Sequence, residues 1–306
     1  MPEEYPSSML ELERQFSSEE ACRKYLQKLR WPDGFVCPRC AGRKAWAMEN
    51  GRWLCQNCRR QASVTAGTIF QDSRLPLQQW FRAMWLVTSQ KQGVSALGLQ
   101  RELGLGSYKT AWLILHKLRG AMVRPGRDRL SGTVELDEAY WGGDESDGVI
   151  GRRMGRKTLL LIAAQEDGPG IGRIRLRREV ALNRQTVVDF VRSMVEPGST
   201  LRTDGLNLYA DIDGYTHERR VRGKNPKAAA TMLPRVHRVI SLLKRWLLGT
   251  HQGAIGHDYL DCYLDEFTFR FNRRTSRSRG KLFSRLAEQA VQISPLPFTT
   301  ICNHNP

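Results

Sequence analysis

Two closely spaced cysteine pairs constrain this chain more than any other feature. Cys37-Pro-Arg-Cys40 and Cys55-Gln-Asn-Cys58 are both C-x-x-C knuckles, separated by 14 residues. Knuckles at that spacing supply four thiolates that can meet around one tetrahedral zinc ion. Trp46 and Trp53-Leu-Cys55 read as short strands feeding the second knuckle, so the segment reads as a zinc ribbon. A ribbon this small cannot fold on apolar burial alone, and metal binding would supply its folding free energy. The cysteine total is odd, at seven, which argues against a disulfide framework and for a reducing cytoplasm. Cys22, Cys262 and Cys302 lack partner spacing and read as ordinary thiols.

The ribbon carries Arg39, Arg43, Lys44, Arg52, Arg59 and Arg60, and the whole chain shares that bias. Lys plus Arg is 48 against 31 Asp plus Glu, a net +17 with a pI near 10.0. Such a charge points to a polyanionic partner, and nucleic acid is the default through phosphate neutralisation. With 41% hydrophobic residues among 306, the chain can pack a core and is not a disordered tail. No run approaches ~18 consecutive apolar residues, so no membrane span is expected. The start, MPEEYPSSMLELERQF, is acidic and polar rather than a secretory signal. Together these give the expectation of a cytoplasmic, nucleoid-associated protein.

Along the chain, Ser17 or Ser18 caps a helix to residue 30, and residues 77–90 form a strongly apolar helix. Helices at about 95–102 and 107–120, joined by Leu103-Gly-Leu-Gly106, have helix-turn-helix spacing. Lys109 would then open a recognition helix and contact DNA. After Pro125-Gly the period changes: strands at 132–137, 158–165, 173–180 and 199–204, a helix at 184–195, and a short strand at Thr216–Val221. Helices follow at 235–248 and 257–271. This is an α/β order. The expected domains are a helix and ribbon over 17–62, a helical DNA-binding region over 63–126, an α/β domain over 130–290 and a tail over 291–306. The run RRTSRSRGK (273–281) reads as a solvated or DNA-bound basic segment.

Asp137 and Asp204 are acids set in apolar strand contexts, where a charge is costly unless it binds something. Strand cleavage and transfer on nucleic acid use two divalent metals, held by carboxylates that distant strands bring to one sheet edge. Glu138 adjoins Asp137, but alternation points it to the other face. Gly142 and Gly143 let the chain leave that strand sharply.

The segments LDEAYWGG, LRTDGLNLY, HRVISLLKRWLLGTHQG and YLDEFTFRFNRR resemble the DDE transposases of bacterial insertion sequences, in the zinc-ribbon-bearing subgroup related to Merlin elements. The resemblance spans residues 18 to 290. It implies an RNase H-like catalytic domain behind the ribbon and helix-turn-helix, with structural Zn²⁺ and catalytic Mg²⁺ or Mn²⁺. It implies binding to double-stranded DNA at the element's terminal inverted repeats and at the target, and a homo-oligomer at the synapse. Asp137 matches the first acid and Asp204 the second, both as magnesium ligands. The third position departs from the pattern. Such relatives place Glu, sometimes Asn, seven residues before a lysine on a helix, and here His237 stands seven before Lys244. His237, Ser241 and Lys244 share a helix face. An imidazole favours Mn²⁺ or Zn²⁺ over Mg²⁺, or it orients water or phosphate. Glu266 is the alternative third acid, and a catalytically inactive, transposase-derived DNA-binding regulator is the alternative function. Lys244 and Arg245 would contact phosphates, and His251, in a Gly-bounded loop, could approach the metal site.

Overall fold

The computed structural model describes residues 5–124, 126–142, 157–220, 232–295 and 301. Gly143 and Cys302 lie outside the described residues. The chain divides into two compact units, one of Met1–Arg124 with Thr275–Pro306 and one of Pro125–Arg274.

The first unit opens with two helices, α1 (Met9–Gln15) and α2 (Glu19–Arg30). Ser8 and Ser18 cap them, each side chain accepting a backbone N–H three residues on at 3.2 Å. Three short strands follow, β1 (Ala45–Ala47), β2 (Trp53–Cys55) and β3 (Gln61–Ala62), as an antiparallel sheet in that order. Trp31, Phe35, Cys37, Cys55 and Ala62 form its small core. Helix α3 (Leu77–Ser89) buries Trp80, Phe81, Met84 and Trp85. Helices α4 (Ala96–Glu102) and α5 (Tyr108–Ala121) pack together across a turn in which Gly104 takes φ +61°.

The second unit holds a five-stranded sheet. Its strands are β4 (Thr133–Trp141), β5 (Thr158–Asp167), β6 (Gly170–Glu179), β7 (Thr200–Thr203) and β8 (Thr216–Arg219), in the order β6-β5-β4-β7-β8. The first three form an antiparallel meander, and β7 and β8 run parallel to β4. Helix α6 (Arg184–Met194) provides the crossover and covers one face with Val187, Phe190 and Val191. Helices α7 (Pro234–His251) and α8 (Leu260–Phe271) cover the other, packing Val236, Val239, Leu243 and Leu264 onto Ala139, Ile162 and Ile174. The last expected strand is shorter than the pattern indicated, and Val221 lies outside the described residues.

One boundary differs from the sequence reading, which ran the α/β domain to residue 290. Contacts end that unit at Arg274, and a later helix, α9 (Arg279–Ala290), belongs to the first unit. The reason is apolar. Phe283 enters an aromatic cluster with Phe16, Tyr25, Phe81 and Trp85, which the basic run before it conceals in the sequence. The approach is close enough that a Cβ at Gly280 would stand 1.8 Å from the Pro6 carbonyl oxygen, so only glycine fits there.

Candidate active site

Side chains alternate along β4, so Glu135 and Asp137 share the face under α7. Strands β4 and β7 pair in parallel from Thr133 with Thr200 to Glu135 with Arg202. Carried on by two residues, that register sets Asp137 abreast of Asp204. Neighbouring strands lie about 4.8 Å apart, so this register brings Asp137, midway along β4, near Asp204, one residue past the carboxyl end of β7. Asp204 follows the last residue of β7, where its Oδ1 accepts the Leu206 N–H at 2.8 Å and fixes the turn. A cleft of about 380 Å³ opens there, lined by Asp204, Asn207 and Arg219 among others.

His237 lies one turn into α7, with Nε2 3.1 Å from Asp137 Oδ2. The hydrogen bond to Asp137 raises the imidazole pKa; burial opposes this, and the charges of Asp137, Glu135 and Asp204 add to it. Asp137, Asp204 and His237 therefore occupy one electrostatic neighbourhood.

The placement of α7 depends on Glu135, which the sequence reading did not single out. The helix begins after Leu233, which has no side chain able to cap it. Glu135, fully buried on β4, caps it instead. Its Oε2 accepts the Arg235 and Val236 N–H groups at 2.8 and 2.9 Å, and its Oε1 accepts Arg235 Nη1 at 3.1 Å. Those N–H groups belong to the orphan donors of a helix start, and a carboxylate there also meets the positive end of the helix dipole. The network continues from Arg235 to Glu166 at 2.6 Å, from Glu166 to Arg202 at 2.9 Å and from Arg202 to Glu218 at 2.9 Å. It crosses β4, β5, β7 and β8. Its only sequence signal was parity with Asp137.

Glu138 faces the opposite side of the sheet, as alternation requires, and accepts the Tyr209 hydroxyl at 2.9 Å. Burial, with the charges of Glu138, Asp137 and Asp204, pushes the Tyr209 phenol far above its ordinary value, so it stays a neutral donor.

The other expected residues are spread more widely. Glu266 is fully buried on α8, which packs on β6 at the sheet edge remote from β7, and pairs with Arg270 at 3.5 Å. The structure thus gives it a core position rather than one beside Asp204. Lys244 and Arg245 are exposed on α7, and Lys109 is exposed in the first turn of α5. His251 stands at the far end of α7, about 21 Å along the axis from His237, wedged edge-on between Trp246 and Tyr263. The expectation that it nears the metal site is corrected: aromatic packing holds it away.

In the first unit, the sulfurs of Cys37, Cys40, Cys55 and Cys58 lie within 4.8 Å of one another. The pairs Cys37–Cys58 and Cys40–Cys55 are each 3.6 Å apart. Tetrahedral zinc with Zn–S bonds of ~2.3 Å needs S–S edges of about 3.8 Å, so the donor set fits structural Zn²⁺. Ala41 and Arg59, each just after a knuckle, take φ +56°, which turns the chain back around the sulfurs. Among the described residues no other group of three or more His, Cys, Asp or Glu converges this closely. Asp137, Asp204 and His237 offer two hard carboxylates and an imidazole, a suitable donor set in looser array.

Two family models match the chain: a transposase zinc-ribbon domain over residues 17–61 and an ISXO2-like transposase domain over residues 129–272. A similar protein is the "uncharacterized protein in transposable element ISH50" of Halobacterium salinarum. It is 27% identical over 288 residues, covering 87% of this chain and 94% of the relative. A weaker likeness is to the intasome of simian T-cell lymphotropic virus in complex with the PP2A regulatory subunit B56 gamma. There the identity is 14% and the TM-score 0.32, over 69% of this chain and 72% of that one, too low to carry an argument.

Proposed function

Because this chain belongs to the ISXO2-like transposase family, we propose that it binds the terminal inverted repeats of its element and catalyses metal-dependent DNA strand cleavage and transfer. The observation that carries this reading is His237 on α7 at 3.1 Å from Asp137 on β4, with the charge of Asp204 acting on the same imidazole. The strand order, three antiparallel strands followed by two parallel ones, supports an RNase H-like domain. No helix among the described residues is long and apolar enough to cross a membrane.

Asp137, Asp204 and His237 would hold a divalent cation, Mg²⁺ or Mn²⁺, which neutralises charge on the phosphate and the oxygens around it. The chain's own groups do the positioning. Glu135 fixes α7, and α7 fixes His237 against Asp137. Tyr209 holds Glu138 on the opposite face and keeps that charge from drifting toward the acids. Water attacks phosphorus at the element end, the P–O3′ bond breaks and a 3′-OH is left. That hydroxyl then attacks a target phosphorus and displaces a target 3′ oxygen. Lys244 and Arg245 contact backbone phosphates. The ribbon and the α4–α5 pair, with Lys109 at the start of α5, find the ends. Two ends must be joined, so a homo-oligomer forms at the synapse.

Excision of a marked mini-element bearing the gene's own flanking ends tests this in cells. Wild type excises, while Asp204→Asn and His237→Ala lose at least a hundredfold. Retained excision by Asp204→Asn overturns the site. Loss in Asp204→Asn alone removes His237 from it. A silent wild type that still binds its ends favours the regulator.

A further inference from the structure

The ribbon sheet has two faces, and only one is used by its core. Register places Ala47, Trp53 and Ala62 in one row, and of these Trp53 and Ala62 pack into the apolar cluster. The opposite row is Trp46 on β1, Leu54 on β2 and Gln61 on β3. Of the eight tryptophans in the chain, Trp46 alone is exposed, at 47%. The Arg59 guanidinium sits over its ring, 5.0 Å from the centroid, and Arg59 itself is fixed by the backbone turn behind the second knuckle. Arg52 reaches the same face, with Nη1 3.3 Å from Gln61 Oε1. Between Gly34 and Ala62 the ribbon has six Lys or Arg and one Glu.

An exposed indole on a protein surface loses the burial that usually stabilises tryptophan. Here it stands exposed on a small sheet, with the Arg59 guanidinium over one face of the ring and Arg52 and the Gln61 amide farther along the same side of the sheet. That combination matches what an unstacked nucleobase requires: an aromatic face for the base, cations for the phosphates on either side. A base inside a duplex has both faces covered by its neighbours and cannot use the ring. We propose that the outer face of the zinc ribbon binds single-stranded DNA, stacking one unpaired base on Trp46, with Arg59 and Arg52 on the flanking phosphates. This rests on the reading of the chain as a DNA-binding transposase and adds a site for a strand that has left the helix.

The test uses the full zinc-loaded chain, fluorescence anisotropy, a labelled single-stranded oligothymidylate and a labelled duplex of the same length. Zinc content of each variant reports whether the ribbon is folded. Trp46→Ala is expected to weaken single-strand binding by about 5- to 150-fold, the range for one stacked base, and at least fivefold more than it weakens duplex binding. Trp46→Phe, which keeps a ring, restores most of the loss. The slope of log affinity against log salt stays the same in Trp46→Ala, since no phosphate contact is removed. Single-strand binding as tight in Trp46→Ala as in wild type overturns the proposal, as does equal loss on both DNAs. A wild type that binds the duplex but not the single strand overturns it while leaving the DNA-binding reading intact. A wild type that binds neither overturns both.

Discussion

Glu135 is a carboxylate with no exposed surface, and three donors justify its burial. Removing it leaves two helix-start N–H groups without their acceptor, while the Arg235 guanidinium loses one of its partners and keeps Glu166 and the Gly168 and Gly170 carbonyls. Glu135→Ala is expected to lower stability by about 3 kcal/mol or more, read from the urea midpoint, with Glu135→Gln costing less than half as much. Equal losses for the two variants would mean that packing volume rather than hydrogen bonding matters there. The placement of Asp137 on a strand and of Asp204 just past one was legible in the sequence, because a charge in an apolar strand context stands out. Glu135 was not, because its partners arrive 100 residues later in the chain, and no local pattern links a strand residue to a distant helix start. His237 was legible only through its spacing to Lys244. Its contact with Asp137 is a product of that same unseen cap.

Helix α8 shows what a helical pattern conveys and what it hides. Its apolar stripe gave the element and its core face. The sequence did not reveal that Glu266 lies on the buried side, where it pairs along the helix with Arg270. Nor did it reveal Asp265, whose carboxyl burial pushes up to about 7, with Arg127 opposing and Asp261 adding. An acid whose pKa is higher folded than unfolded contributes most below its unfolded value, 3.8. That contribution is lost as pH rises toward 7, because the unfolded chain ionises first. Asp265→Asn should therefore melt above wild type at pH 8, with the two converging near pH 4. Parallel melting curves across that range would place Asp265 in a wetter setting. The ribbon strands and the meander were legible from alternation and length. Helix α9 was missed because RRTSRSRGK reads as solvated chain, while the residues that dock it come after and are judged apolar only against a cluster assembled from α1, α2 and α3.

The division of the whole molecule into two units gives each its own source of stability. The α/β unit closes two apolar layers on a sheet. The ribbon has a core of five buried residues, two of them zinc ligands, and depends on metal. A strong chelator should therefore produce early loss of structure confined to the first unit. Limited proteolysis would cut between residues 34 and 62 first, while a fragment near 125–274 survives. Simultaneous cleavage of both units would show that they unfold as one. The return of α9 to the first unit carries a consequence for biosynthesis. A ribosome delivers Phe16, Phe81 and Trp85 early but Phe283 only after the intervening unit has been made. At ~5–20 residues per second, the stretch from 125 to 290 takes about 10–30 s. Only near the end of that interval, once residue 274 has been made, does the α/β unit have all its residues, and the ribbon-bearing unit then still lacks α9. Nascent chains cut short before α9 would carry the acids without a finished ribbon-bearing unit, so the two units are complete together only when translation is nearly done.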